Sequence, residues 1–200
     1  MTQVIAPVSA PTLRALAAIL VTAALTQVAD LRAQAVSQLP LRRGEIEVEI
    51  RATRVNDFEA RVPVLRATFT GSDINTVTGR VEVRVADMRT GIGLRDRHLR
   101  GAMEADSFPT IRFDLVGVIP EGRRGDTLVV AFQGQLTIHG LTKAIRVPGT
   151  VLIRPNEIQV RSRFTVDMRE YGIRPPSRFL GTVQVQPDVA INVRLEFAQQ

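Results

Sequence analysis

From about Gly44 to the C-terminus, apolar and polar residues alternate with a period of two, and no helical period is sustained after residue 35. A period of two places alternate side chains on opposite faces of an extended chain, so each run describes a strand with one buried face. Ile46, Val48 and Ile50 point one way and Glu45, Glu47, Glu49 and Arg51 the other. The next run buries Leu65, Ala67 and Phe69 against Arg66, Thr68 and Thr70; Val77, Val81, Val83 and Val85 follow, separated by Thr78, Arg80, Glu82 and Arg84. Five more runs repeat the pattern: Ile111 to Leu115, Leu128 to Ile138, Ile145 to Ile153, Ile158 to Phe164, and Val189 to Phe197.

Turn signals separate the runs: Gly71-Ser72-Asp73, Pro120-Glu121-Gly122, Gly125-Asp126, His139-Gly140 and Pro155-Asn156. Eight strands at this spacing imply an all-β sandwich or barrel. An eight-stranded barrel closes its own edges, and its interior is either filled by side chains or holds one small ligand. A one-residue slip would invert a strand's faces, so each face assignment stands or falls with its register. No linker, repeat or low-complexity tract divides residues 44–198, which read as one domain after a linker at 36–43.

The N-terminus reads as an address. Leu13 to Val28 is nearly continuous in apolar residues, with Arg14 its only charge, and Ala33-Gln34-Ala35 is an A-x-A cleavage signal. We expect residues 1–35 to be a signal peptide, with export to the periplasm or beyond; a retained anchor is the alternative. The net charge of +6 then falls to +5, since Arg14, Arg32 and Asp30 leave together. The positive charge is almost entirely arginine, Lys143 being the only lysine, and it is spread among apolar residues without basic runs. That pattern suits a solvated outer strand face rather than a nucleic-acid site. Without cysteine the chain has no disulfide, thiolate or Cys-based metal site.

Three segments depart from the strand pattern. Asp87 to Pro109 gathers Arg89, Arg95, Asp96, Arg97, His98 and Arg100, and Asp96 to Ala105 can hold a short helix. Such a long connection is usually functional or a packed cap. It reads either as a polar rim, with Arg95, Asp96 or His98 meeting a ligand headgroup, or as an Arg–Asp network pinning the loop over one barrel end. His139-Gly140 reads as a hairpin tip whose histidine either contacts ligand or caps the turn. Tyr171, the only tyrosine, precedes Pro175-Pro176 and either anchors that link or faces ligand. The two histidines lack a nucleophile setting, a phosphate loop or zinc-ligand spacing, so the chain is poorly equipped as an enzyme. No metal or cofactor is expected.

Three segments together resemble the YceI family of exported lipid-binding proteins. They are Thr90-Gly91 with Arg95-Asp96-Arg97-His98-Leu99-Arg100 and Phe108-Pro109-Thr110-Ile111-Arg112-Phe113, then Leu136 to Lys143, then Glu170-Tyr171-Gly172. The resemblance spans about Gly44 to Phe197; Asn56 to Ala60 match least well, and Glu170 stands where Asp is common. It implies an eight-stranded antiparallel, lipocalin-like β-barrel with a long loop or short helix capping one end, and a tunnel holding a polyisoprenoid, isoprenoid quinone or other long-chain apolar lipid.

The expected tunnel lining is Phe69, Val81, Val83, Phe113, Phe132, Phe164, Ile191 and Leu195, with Arg95, Asp96, His98 and His139 as polar rim. A membrane surface is the expected place of ligand exchange, and a homodimer is left open. A solidly packed barrel acting as a structural or stress-related module is the other functional class, and an enzyme using His98 or His139 the third.

Overall fold

A computed structural model describes residues 40–54, 56–178 and 183–198. The expected signal peptide at 1–35 lies outside them, as do residues 36–39 of the expected linker, whereas Leu41–Arg43 of that linker belong to the first strand. Among the described residues ten strands are present: β1 Leu41–Ile50, β2 Phe58–Thr70, β3 Thr78–Arg84, β4 Thr110–Arg124, β5 Thr127–Ile138, β6 Leu141–Arg154, β7 Glu157–Asp167, β8 Ser177–Arg178, β9 Val183–Gln184 and β10 Asp188–Ala198. The helix α1 covers Gly93–Ala102 between β3 and β4, and short 3₁₀ turns cover Val85–Asp87 and Met168–Tyr171.

Eight strands close into an antiparallel barrel in the order β1-β10-β7-β6-β5-β4-β3-β2, with β1 paired to both β2 and β10. β8 and β9 form a separate two-stranded ribbon in the link before β10, an element the sequence reading does not anticipate. The helix begins three residues before its expected start.

Because β2 to β7 run up and down, their connections fall alternately at the two ends of the barrel. The β2–β3, β4–β5 and β6–β7 turns share one end. The β1–β2 link, the α1 connection, the β5–β6 hairpin and the segment after β7 share the other.

The expected faces hold except where a bulge intervenes. On β2, Val64 pairs with Val83 but Arg66 with Glu82, so Leu65 is an extra residue that turns outward and is 49% exposed, contrary to the expectation that it is buried. The bulge changes the inward parity from Ala60 and Val62 to Ala67 and Phe69. Val116 is extra on β4 in the same way and is 60% exposed. Pro120-Glu121-Gly122, expected as a turn, is a second bulge within β4, and the chain reverses at Gly125-Asp126 instead. Proline lacks an N–H for the ladder, so a bulge can hold it within a strand.

Glycines open space where rings approach the sheet. A Cβ on Gly134 would stand 2.5 Å from Phe113 Cζ, and one on Gly149 would stand 2.7 Å from the Arg161 carbonyl and strike the Phe132 ring. We expect Gly134→Ala or Gly149→Ala to destabilise the barrel by about 1–3 kcal/mol through overpacking, read as a lower urea midpoint at unchanged slope. Gly117→Ala is the control: a Cβ there meets nothing within 4 Å, so its stability should not fall.

Candidate functional site

The inward faces of the eight strands enclose a cavity of about 470 Å³, within the range of about 300–1,000 Å³ typical of small-molecule sites. Phe69, Val81, Val83, Phe113, Phe132, Phe164, Ile191 and Leu195 all stand on its wall. They are joined by Ile46, Val48, Val147, Val151, Val160 and Phe197 among others, and Phe69 meets Phe197 edge to face with ring centres 5.3 Å apart.

Polar groups on the wall are few. Ser162 is one, and its hydroxyl donates to the Pro148 carbonyl at 2.7 Å. The others, Thr70, Ser72 and Asp73, cluster where β2 enters its turn to β3. Asp73 is bound into that turn: its carboxylate accepts from the backbone N–H groups of Asn75 and Thr76 at 2.8 and 3.2 Å. The Asn75 N–H foremost, with Ser72 and Thr76 adding to it, holds the carboxyl below its ordinary range. Among the described residues the wall carries no histidine, lysine, arginine or glutamate, and the Ser72 hydroxyl donates to the Asp73 carboxylate at 3.2 Å within the turn.

The cavity has a solvent-exposed end and a sealed end. Its exposed wall residues are Gly71, Ser72 and Asp73 on the β2–β3 turn and Ile153 at the end of β6, all at one end of the barrel. At the other end Tyr171 and Ile173 pack on Ile50, Ile138, Val166 and Val189, with Leu99 and Met103 from the helix region joining them. Tyr171, 2% exposed, therefore anchors the link after β7; burial, then the nearby Glu170, pushes its phenol pKa upward.

The four expected rim residues all lie at the sealed end, and none is on the cavity wall. Arg95 stacks its guanidinium over the Phe58 ring, 4.3 Å from the centre. Asp96 is buried; one carboxylate oxygen accepts from the Thr90 N–H at 2.7 Å and the Thr90 hydroxyl at 2.6 Å. His98 is on the exposed side of α1. His139 and Gly140 form the two-residue β5–β6 turn with φ of 50° and 75°, as a tight hairpin requires. The imidazole lies against Phe108 at 4.1 Å between ring centres, and its Nε2 is 3.4 Å from Glu104 Oε1.

The sequence reading does not single out Thr70, Ser72, Asp73, Ile153 or the buried wall residue Met88. The signal for the first four was present: in an up-and-down barrel the β2–β3 and β6–β7 turns must lie at the end opposite the β3–β4 connection. No comparable signal marked Met88.

The chain matches the family described as YceI-like domain over residues 37–197. No curated protein matches it. Among solved structures, BcnA of Burkholderia cenocepacia superposes with a TM-score of 0.63 at 16% identity, covering 76% of this chain and 95% of that one. A polyisoprenoid binding domain from Saccharophagus degradans, implicated in plant cell wall breakdown, gives 0.63 at 12% identity, over 82% and 99%. A YCEI protein of Campylobacter jejuni gives 0.56 at 15%, over 68% and 81%. At these identities the likeness establishes the fold.

The hydrogen bonds from Thr90, hydroxyl first, hold the Asp96 carboxyl below its ordinary range, with Arg89 and Arg100 adding to them. A lowered folded value means a stabilisation present above the unfolded carboxylate value of about 3.9 and lost as pH falls through the folded one. We expect Asp96→Asn to melt below the native protein at pH 7. The gap should close as both are acidified through the carboxylate range, as thermal melts across pH would show.

Proposed function

The chain belongs to the YceI-like domain family, and on that premise we propose that it is an exported, non-catalytic binding protein that holds a long-chain apolar lipid inside its barrel. The observation that carries the reading is the cavity: about 470 Å³ of space walled by aliphatic and phenylalanine side chains, with its polar groups gathered at one end. A solidly packed structural barrel would bring those same residues into mutual contact across the axis. Burial of a hydrocarbon tail supplies about 25 cal/mol per Å², so a tail can bind tightly with few polar contacts, less the cost of ordering it.

A polyisoprenoid or isoprenoid quinone suits the wall, and the polyisoprenoid binding domain of Saccharophagus degradans supports that class by its shared fold. Export rests on the Leu13–Val28 segment and the Ala33-Gln34-Ala35 signal, and places the protein in the periplasm or outside the cell, with ligand exchanged at a membrane surface. The YceI-like family and the fold shared with a polyisoprenoid binding domain support binding over catalysis.

Native mass spectrometry of protein purified from its source tests both parts. We expect a mature chain beginning at Val36 and an organic-extractable ligand of isoprenoid mass. Calorimetric titration of the delipidated protein with that ligand should show a negative heat-capacity change. A bare mass, together with no uptake of long-chain isoprenoids, would overturn the carrier reading. An intact residue 1 would overturn cleavage.

A further inference from the structure

A cavity open at both ends would let a chain of any length thread through, whereas a blind one measures what it holds. Here the sealed end has a definite floor. Met88 is 5% exposed, stands on the cavity wall, and packs with Val62, Val83 and Val85. Leu99 and Met103, from α1 and its C-terminal end, close over the same cluster. Met88 is also held firmly by the backbone beside it. Arg89 and Arg61 exchange reciprocal N–H to carbonyl hydrogen bonds of 2.8 Å, tying this segment to the start of β2.

The open end is its chemical opposite. Thr70, Ser72 and Asp73 supply polar atoms there, and Ile74 on the same turn packs on the cluster that contains Leu115 and Val118. A single-headed amphiphile placed head-down would set its polar group against methionine and valine, leaving it without a hydrogen-bond partner in a dry site. Tail-down, the head reaches hydroxyls, a carboxylate and water.

We propose that the ligand loads tail-first past the β2–β3 turn and that Met88 is the stop against which its tail length is measured. Met88 is then a specificity-determining residue. The unbranched thioether makes the stop a compact, adaptable plug, and truncating it opens space towards α1. The inference rests on the barrel holding a long-chain ligand and adds which end admits it and what limits it.

The test is the binding constant of delipidated full-length mature protein for all-trans isoprenoid alcohols of increasing length. In the native protein affinity should rise with each unit and then level off at a break. Met88→Ala should move that break to a chain at least one unit longer while leaving shorter chains nearly unchanged. Met88→Leu, which conserves volume, should keep the native break. Val83→Ala deepens the same floor by another route should Met88→Ala fail to fold. At the open end, Ile74→Glu should weaken every length by about tenfold, roughly one step of 1.4 kcal/mol, whereas Leu94→Glu on the exposed face of the cap should change nothing.

A break that stays put in folded Met88→Ala and Val83→Ala would overturn the stop. Loss of binding in Leu94→Glu but not in Ile74→Glu would overturn the direction of loading. No binding at any length by the native protein would overturn the parent reading and this inference with it.

Discussion

The barrel depends on β1 lying between β2 and β10. A sheet of eight strands has two edges, each with a row of backbone groups lacking partners, and β1 removes both by pairing with the second strand and the last. Glu47 reaches Arg61 on β2 at 3.0 Å and Arg194 on β10 at 3.2 Å, while Glu49 reaches Arg163 on β7 at 2.9 Å and accepts from Asn192 on β10 at 2.7 Å. Exposed pairs of this kind contribute about 0–1 kcal/mol each. They favour the correct register, and the ladder with the buried inner face supplies the stability. The alternation of Glu45, Glu47 and Glu49 with Ile46, Val48 and Ile50 is thus the seam written into one strand.

Closure alone would give a packed core, and the cavity needs a second device. Phe69, Phe113 and Phe132 each lie against a glycine of the adjacent strand, at Gly79, Gly134 and Gly149. With no Cβ beneath them the rings rest on the sheet, close to the wall, instead of projecting to the axis. Large and small residues are matched along the wall rather than across the barrel. The same pairing that stabilises the strands therefore leaves the axis free, and fold and site share one cause.

Strand identity and most inward faces were legible in the sequence because the period of two survives in every run, so Val81, Phe113 or Leu195 could be placed without knowing any partner strand. Leu65 could not, since a bulge is a property of the pairing and leaves the residue looking apolar and in phase. The β8–β9 ribbon is two short pairs held by their neighbours, with no periodicity to read. The ends of the cavity were harder still. Charge and histidine in Asp87–Pro109 look like a ligand rim, but charge equally suits a cap whose outer face meets water; only the alternation of turns between the two ends decides which one is open.

That alternation also gives the family motif a physical meaning in this chain. Thr90, Asp96, Arg95, His139, Gly140, Tyr171 and Gly172, which carry the resemblance, all gather at the sealed end, on α1, the β5–β6 hairpin and the link after β7. Two non-glycine residues with positive φ, Glu104 at 45° and His139 at 50°, face each other there with 3.4 Å between side-chain atoms. Unfavourable backbone persists where surrounding structure over-determines it, and the buried Asp96–Thr90 bonds with the Tyr171 cluster provide that determination. These motif residues thus fix a lid to the barrel floor, while Ile111, Phe113, Leu136 and Ile138 of the same motif segments reach the cavity wall. The rest of the wall, Met88 and the turn at Thr70–Ile74 lie outside the motif, so the chemistry of the cavity's open end is set by residues the motif does not include.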